Sequence, residues 1–144
     1  MIQRIQTLYL LIVTLLATIC CFFPFAVVTP SPITFNTAGA LHSAWLIPSA
    51  ALGILIPAIA FGSIFLYKKR ILQMRVNGFN MVLMIFQIIA YAVILVLVHR
   101  TAPEAEIKIS WPCIVPLINL ILTYLAIRGI GSDEALVRAA DRLR

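Results

Sequence analysis

The sequence predicts an all-α membrane protein: four transmembrane helices followed by a C-terminal cytoplasmic amphipathic helix. Composition, run length and charge placement each point there. Of the 144 residues, 62% are hydrophobic and 11% charged, against about 45–50% and about 25% in a soluble domain. A chain this short cannot hide so much apolar surface in one core, since small domains bury only about 60–70% of what they expose unfolded. The mean hydropathy of +1.06 excludes a disordered chain. Lipid must cover the remainder.

Four apolar runs supply the spans, at about residues 5–28, 45–67, 76–98 and 111–127. A spanning helix needs about 20 residues. The runs are continuous rather than alternating, so helices are expected and not barrel strands. The first run is longer than the 7–15 residues of a typical signal core, and Arg4 is its only basic flank. Ile19 is too large to precede a lipoprotein cleavage at Cys20. The segment therefore reads as a retained anchor. Trp45, Tyr67 and Trp111 fall at span ends, as interfacial aromatics do. Pro48 and Pro112 lie near helix starts, whereas Pro57 and Pro116 are expected to kink their helices.

Residues 1–128 form the four-helix domain on this reading, and 129–144 the tail. Gly129 and Gly131 are expected to end the last span. Ser132 would cap a new helix, with Asp133 and Glu134 at its positive end. Leu136, Val137, Ala140 and Leu143 share one face of that helix, and Glu134 pairs with Arg138 on the other. Between spans one and two, Thr29-Pro30-Ser31-Pro32 cannot be helical. Residues 32–36 and 106–110 alternate polar with apolar. They can pair with each other as a small outer hairpin-like sheet, the other reading being irregular loops on the headgroups.

The net charge is +6. Its placement favours topology and lipid over nucleic acid, because the cations flank apolar runs and no basic stripe is interleaved with aromatics. With both termini cytoplasmic, nine of the eleven basic residues lie inside, leaving Arg100 and Lys108 outside. Lys68, Lys69, Arg70 and Arg75 form the densest cluster. Together with Leu136, Arg138, Arg142 and Leu143 of the tail they are the candidate contacts for lipid or a partner.

Chemistry is sparse. No ionisable residue is expected within a span, which disfavours proton-coupled transport. Gln87 and Asn119 are the polar groups nearest mid-membrane and are expected to hydrogen-bond across helices; lining a substrate path is the alternative. Cys20, Cys21 and Cys113 contain no C-x-x-C, so thiol redox chemistry is disfavoured, while a bridge from Cys20 or Cys21 to Cys113 stays open. His42 and His99 sit in different loops and make a poor metal pair. No phosphate cradle or hydrolase elbow occurs. No enzyme activity, cofactor or metal is expected. Ser49-xxx-Gly53 and Ala58-xxx-Gly62 can seat a neighbouring helix, within this chain or from another copy.

The opening Met1-Ile2-Gln3-Arg4-Ile5-Gln6-Thr7, the Lys68-Lys69-Arg70 turn and the closing Asp133-Glu134-Ala135-Leu136-Val137-Arg138 with Asp141-Arg142-Leu143-Arg144 resemble a bacterial family of unknown function. Its members are short four-span inner-membrane proteins. The resemblance covers essentially the whole chain and implies a bacterial inner membrane, but carries no reaction or ligand. The expectation that follows is a non-enzymatic scaffold or accessory subunit of a larger membrane complex. A small oligomeric channel or transporter is the alternative.

Overall fold

Each apolar run forms a helix, because a backbone in lipid must satisfy its own hydrogen bonds. In a computed structural model, the described residues are 3–29, 33–35, 46–104 and 106–142, excepting the side chains of Gln3, Arg4, Ile33, Thr34, Asp141 and Arg142. The helices are α1 (Gln3–Phe22), α2 (Ile47–Ile64), α3 (Arg70–Thr101) and α4 (Val115–Arg142). All four are long and apolar enough to cross a membrane. Short 3-10 turns at Phe65–Lys68 and Trp111–Cys113 follow α2 and precede α4. Trp45, His42 and the Pro30–Pro32 stretch lie outside the described residues.

The helices pack in a ring, α1 against α2 and α4, and α3 against the same two. Their buried positions show how. On α3 these are Gln73, Asn77, Asn80, Met84, Gln87, Tyr91 and Ile94, in alternating steps of four and three. Gln6, Leu10, Val13 and Ala17 repeat the rhythm on α1, and Asn119, Thr123, Ala126, Ile130 and Asp133 on α4. A 3.5-residue repeat keeps one stripe facing the neighbours along the whole helix. The polarity is inverted relative to a soluble bundle. Amide side chains point inward, while Leu8, Leu15, Phe79, Phe86 and Ile121 stand exposed. Lipid removes any gain from hiding apolar side chains, so close fit and polar contacts hold the interior together.

Three helix ends differ from expectation. α1 stops at Phe22 instead of continuing to residue 28. Pro24 has no N–H to continue the ladder and disfavours helical geometry at Phe23. The β-branched Val27-Val28-Thr29 then enters β1 (Ala26–Thr29). α3 is longer than the apolar run at 76–98. Its 32 residues extend about 48 Å, against about 30 Å of hydrocarbon, so both ends project.

The third correction concerns the tail. Gly129 and Gly131 do not interrupt the helix, and Ser132 does not start a new one: α4 runs unbroken from Val115 to Arg142. Gly129 serves contact instead. A Cβ there would come within 3.1 Å of Gln6 Cγ, so the missing side chain lets α1 approach. Pro116 also departs from expectation. It occupies the first turn of α4, where no helical hydrogen bond is lost, while Pro57 does lie inside α2.

At the end opposite the helix-linking turn, β1 lies between β2 (Ile33–Phe35) and β3 (Glu106–Ile109) in an antiparallel sheet. Ala26 stands opposite Phe35 on one side and Ile109 on the other. The two alternating segments therefore do not pair with each other. Each pairs with a strand that hydropathy assigns to the first span. Phe25, Ala26, Val28, Phe35, Leu46, Ala50, Tyr91 and Ile94 bury one cluster beneath this sheet. Phe25 stacks on Tyr91 with ring centroids 4.1 Å apart. The sheet thereby closes one end of the bundle.

Candidate functional site

Two regions concentrate polar and charged groups. The first is the bundle interior. The 3.5-residue stripe of α3 places Gln73, Asn77, Asn80 and Gln87 on a single line, and α4 answers with Asn119 and Thr123. Gln87 and Asn119 are each 2% exposed and meet at one cavity of about 30 Å³ between all four helices. That space is enough to hold water. Both residues, the polar groups that the sequence places nearest mid-membrane, are buried. The sequence also leads to the expectation that each bonds a neighbouring helix; among the described residues, Gln87 Oε1 and Asn119 Oδ1 have no partner. Asn77 Oδ1 and both polar atoms of the Asn80 amide are likewise unpartnered, although Asn77 Nδ2 donates to the Gln73 carbonyl at 3.0 Å. Thr123 Oγ1 faces Met84 Sδ at 4.0 Å.

One interior pair is not foreseen by the sequence. Gln6 Nε2 donates to Asp133 Oδ2 at 2.7 Å, joining α1 to α4. The sequence places Asp133 at the start of a separate tail helix, where a carboxylate suits the dipole. In the continuous α4 it is mid-helix and buried. A signal for this exists: 119, 123, 126, 130 and 133 keep one alternating rhythm through both glycines.

The second region lies at the opposite end from the sheet. Lys68, Lys69, Arg70 and Arg75 line an open groove of about 490 Å³ with Ile71, Leu72, Glu134 and Val137. The structure thus joins the basic turn to the tail, which sequence placed on the same side without contact. The first turn of α3 carries no acidic residue and no side-chain cap, so unpaired N–H groups add to the positive field. Arg138 Nε donates to Glu134 Oε1 at 3.1 Å, the expected i,i+4 pair. Leu136 is exposed but does not line the groove. The Arg142 side chain and Leu143 lie outside the described residues.

The cysteines stand at the sheet end. None of the three is disulfide-bonded. Cys21 Sγ donates to the Gly53 carbonyl of α2 at 3.1 Å, so the first small-residue pair serves contact within the chain. The second does not: Ala58 and Gly62 are exposed, and nothing lies within 4 Å of the space a Gly62 Cβ would take. Among the described residues, no group of three His, Cys, Asp or Glu side chains could hold a metal ion.

The profile of a family described as a domain of unknown function (DUF4293) matches residues 2–143. The chain belongs to this family. No curated protein and no solved structure matches it. For this DUF4293 protein the family assignment spans nearly the whole chain, including the two helix segments that meet at Gln6 and Asp133. It brings no reaction with it.

Proposed function

We propose that the protein is a non-enzymatic accessory subunit or scaffold of a membrane complex, seated in a bacterial inner membrane with both termini cytoplasmic. Membrane lipids and a protein complex, or further copies of the chain, are its partners. The observation that carries this reading is the groove uniting Lys68, Lys69, Arg70 and Arg75 with Glu134 and Val137. Cations flanking a membrane helix attract anionic headgroups at about 1 kcal/mol each, and they favour the cytoplasmic side. The unbroken α4 projects the tail as a rigid arm on which a partner can be held. Among the described residues, the ion pair at this end is Glu134 with Arg138 of its own helix, and none holds the four groove cations.

The test has two arms. The protein is purified in mild detergent with its native lipid and protein companions, beside a variant carrying Lys68→Gln, Lys69→Gln, Arg70→Gln and Arg75→Gln. Loss of a stoichiometric companion from the variant supports the reading. Isolation of the wild-type chain alone, with neither lipid nor protein, contradicts it. A tag in the central turn that is reachable only from outside intact cells overturns the orientation.

A second reading, a small oligomeric channel or transporter, draws on the buried unpartnered amides of Gln87 and Asn119. In the monomer, apolar layers bracket that cavity: Val13, Ile56, Ala60 and Met84 on one side, the Phe25–Tyr91 cluster on the other. A conducting path must open both. Solute flux into liposomes that Gln87→Leu abolishes favours this reading over the first.

A further inference from the structure

β3 (Glu106–Ile109) is an edge strand, and among the described residues no strand lies beyond it. Its pairing with β1 fixes what that edge presents. Ser110 N donates to the Phe25 carbonyl at 2.9 Å. From there Ala26 stands opposite Ile109, Val27 opposite Lys108, Val28 opposite Ile107 and Thr29 opposite Glu106. In an antiparallel ladder, bonded and non-bonded pairs alternate. The main-chain groups of Glu106 and Lys108 therefore turn towards β1, and the Thr29 hydroxyl adds a bond to the Glu106 carbonyl on that side. The N–H and C=O groups of Ile107 and Ile109 turn the other way. Among the described residues, none of these four groups is hydrogen-bonded across the edge. Such a row of open donors and acceptors is a template for a further strand.

The side chains decide which strand fits. They alternate between the two faces of the sheet. Ile107 lies opposite the buried Val28 and packs against the cluster beneath the sheet. Glu106 and Lys108 share the other face, both exposed, and neither is ion-paired among the described residues. Charge on an edge strand ordinarily repels newcomers. Here the two charges are opposite in sign and two residues apart, a pattern complementary to itself when reversed. An antiparallel second copy of β3 must set outward-turned residues against outward-turned residues. With Ile107 opposite Ile107, Glu106 faces the second copy's Lys108, and Lys108 faces the second copy's Glu106. Those flanking positions are the non-bonded pairs, where side chains come closest. Sliding one copy by two residues sets Lys108 against Lys108 in one direction and Glu106 against Glu106 in the other. Like charges directly opposite are destabilising. One favourable register is thus bracketed by two that repel.

We propose that the free edge of β3 is an interface for a second copy of this chain, the two strands pairing antiparallel about Ile107 with Glu106 and Lys108 in reciprocal ion pairs. The two Ile107 residues exchange main-chain hydrogen bonds, and the sheets of both copies become continuous. The interface lies at the end of the bundle opposite the cationic groove and does not rest on the role proposed for that groove.

The test uses the full-length protein, labelled with donor or acceptor fluorophores and reconstituted in phosphatidylcholine vesicles. Energy transfer is read against the protein-to-lipid ratio. Glu106→Lys and Lys108→Glu each set like charges face to face and weaken self-association about tenfold, with far-ultraviolet circular dichroism unchanged. Mixing these two variants brings opposite charges together again, so transfer returns between unlike chains to within about threefold of wild type. The double variant carrying both substitutions likewise pairs as wild type does, which keeps the test decisive should a single variant fold poorly. Wild-type chains that stay monomeric at every ratio overturn the proposal. So does a dimer that both single variants form unchanged, since its seam then lies on another face. Loss in the single variants that neither the mixture nor the double variant recovers overturns it too. Capture of a different protein that the single variants release, with no self-association, assigns the edge elsewhere and also overturns it.

Discussion

Replacing Gln6 with Leu removes the donor to Asp133 without much change in volume. The bond is short, 2.7 Å, and Asp133 is only 9% exposed, so water cannot fully take over. A hydrogen bond to a carboxylate contributes about 1.5–3 kcal/mol in water-soluble proteins, whereas polar contacts between membrane helices average about 0.6 kcal/mol. The pair sits at a bundle end, between these settings. The expected cost of Gln6→Leu is therefore about 1–2 kcal/mol. Asp133→Leu strands the Gln6 amide instead and costs a similar amount. Because each single change orphans a partner, the double variant should be less damaged than the sum, by about 0.6–2 kcal/mol. The assay is equilibrium unfolding in mixtures of mild detergent and dodecyl sulfate, followed by circular dichroism for all four proteins. Additivity within about 0.5 kcal/mol would refute the argument that this bond ties α1 to α4.

The two classes of glycine should separate cleanly in the same assay. Gly129→Leu collides with Gln6, whose Cγ lies only 3.1 Å from where the new Cβ would stand, and should cost about 1–3 kcal/mol. Gly62→Leu enters open space and should leave the fold intact; a shift in oligomer size with that variant would mark the Ala58 and Gly62 face as a seam between copies. Phe25→Ala removes the ring stacked on Tyr91 and should cost about 3–5 kcal/mol, seen first as loss of hydrogen-exchange protection at Val27 and Val28. Glu134→Ala breaks an exposed i,i+4 pair and should change stability by less than about 0.5 kcal/mol.

The number of spans, their helical state and the location of the basic turn were legible in the sequence, because the need to satisfy backbone groups in lipid acts on each segment by itself. So was the burial of Gln87 and Asn119. Local signals misled where two segments had to meet. Val27 and Val28 look as apolar as the span before them, and only pairing with residues 33–35 and 106–109 makes them a strand. Gly129 and Gly131 look like a helix end, since glycine usually weakens a helix. What overrides that tendency is the close approach of Gln6, from the far end of the chain. Asp133 looks like a capping residue until that approach supplies its donor.

Hydropathy alone therefore determined that this chain carries four membrane-length helices and where its charge lies. The tertiary structure decided which polar groups are bonded and which are left open, and it joined the basic turn to the tail in one groove. The reason is that transfer into lipid is a property of one segment at a time, whereas a hydrogen bond or a cavity exists only between segments brought together.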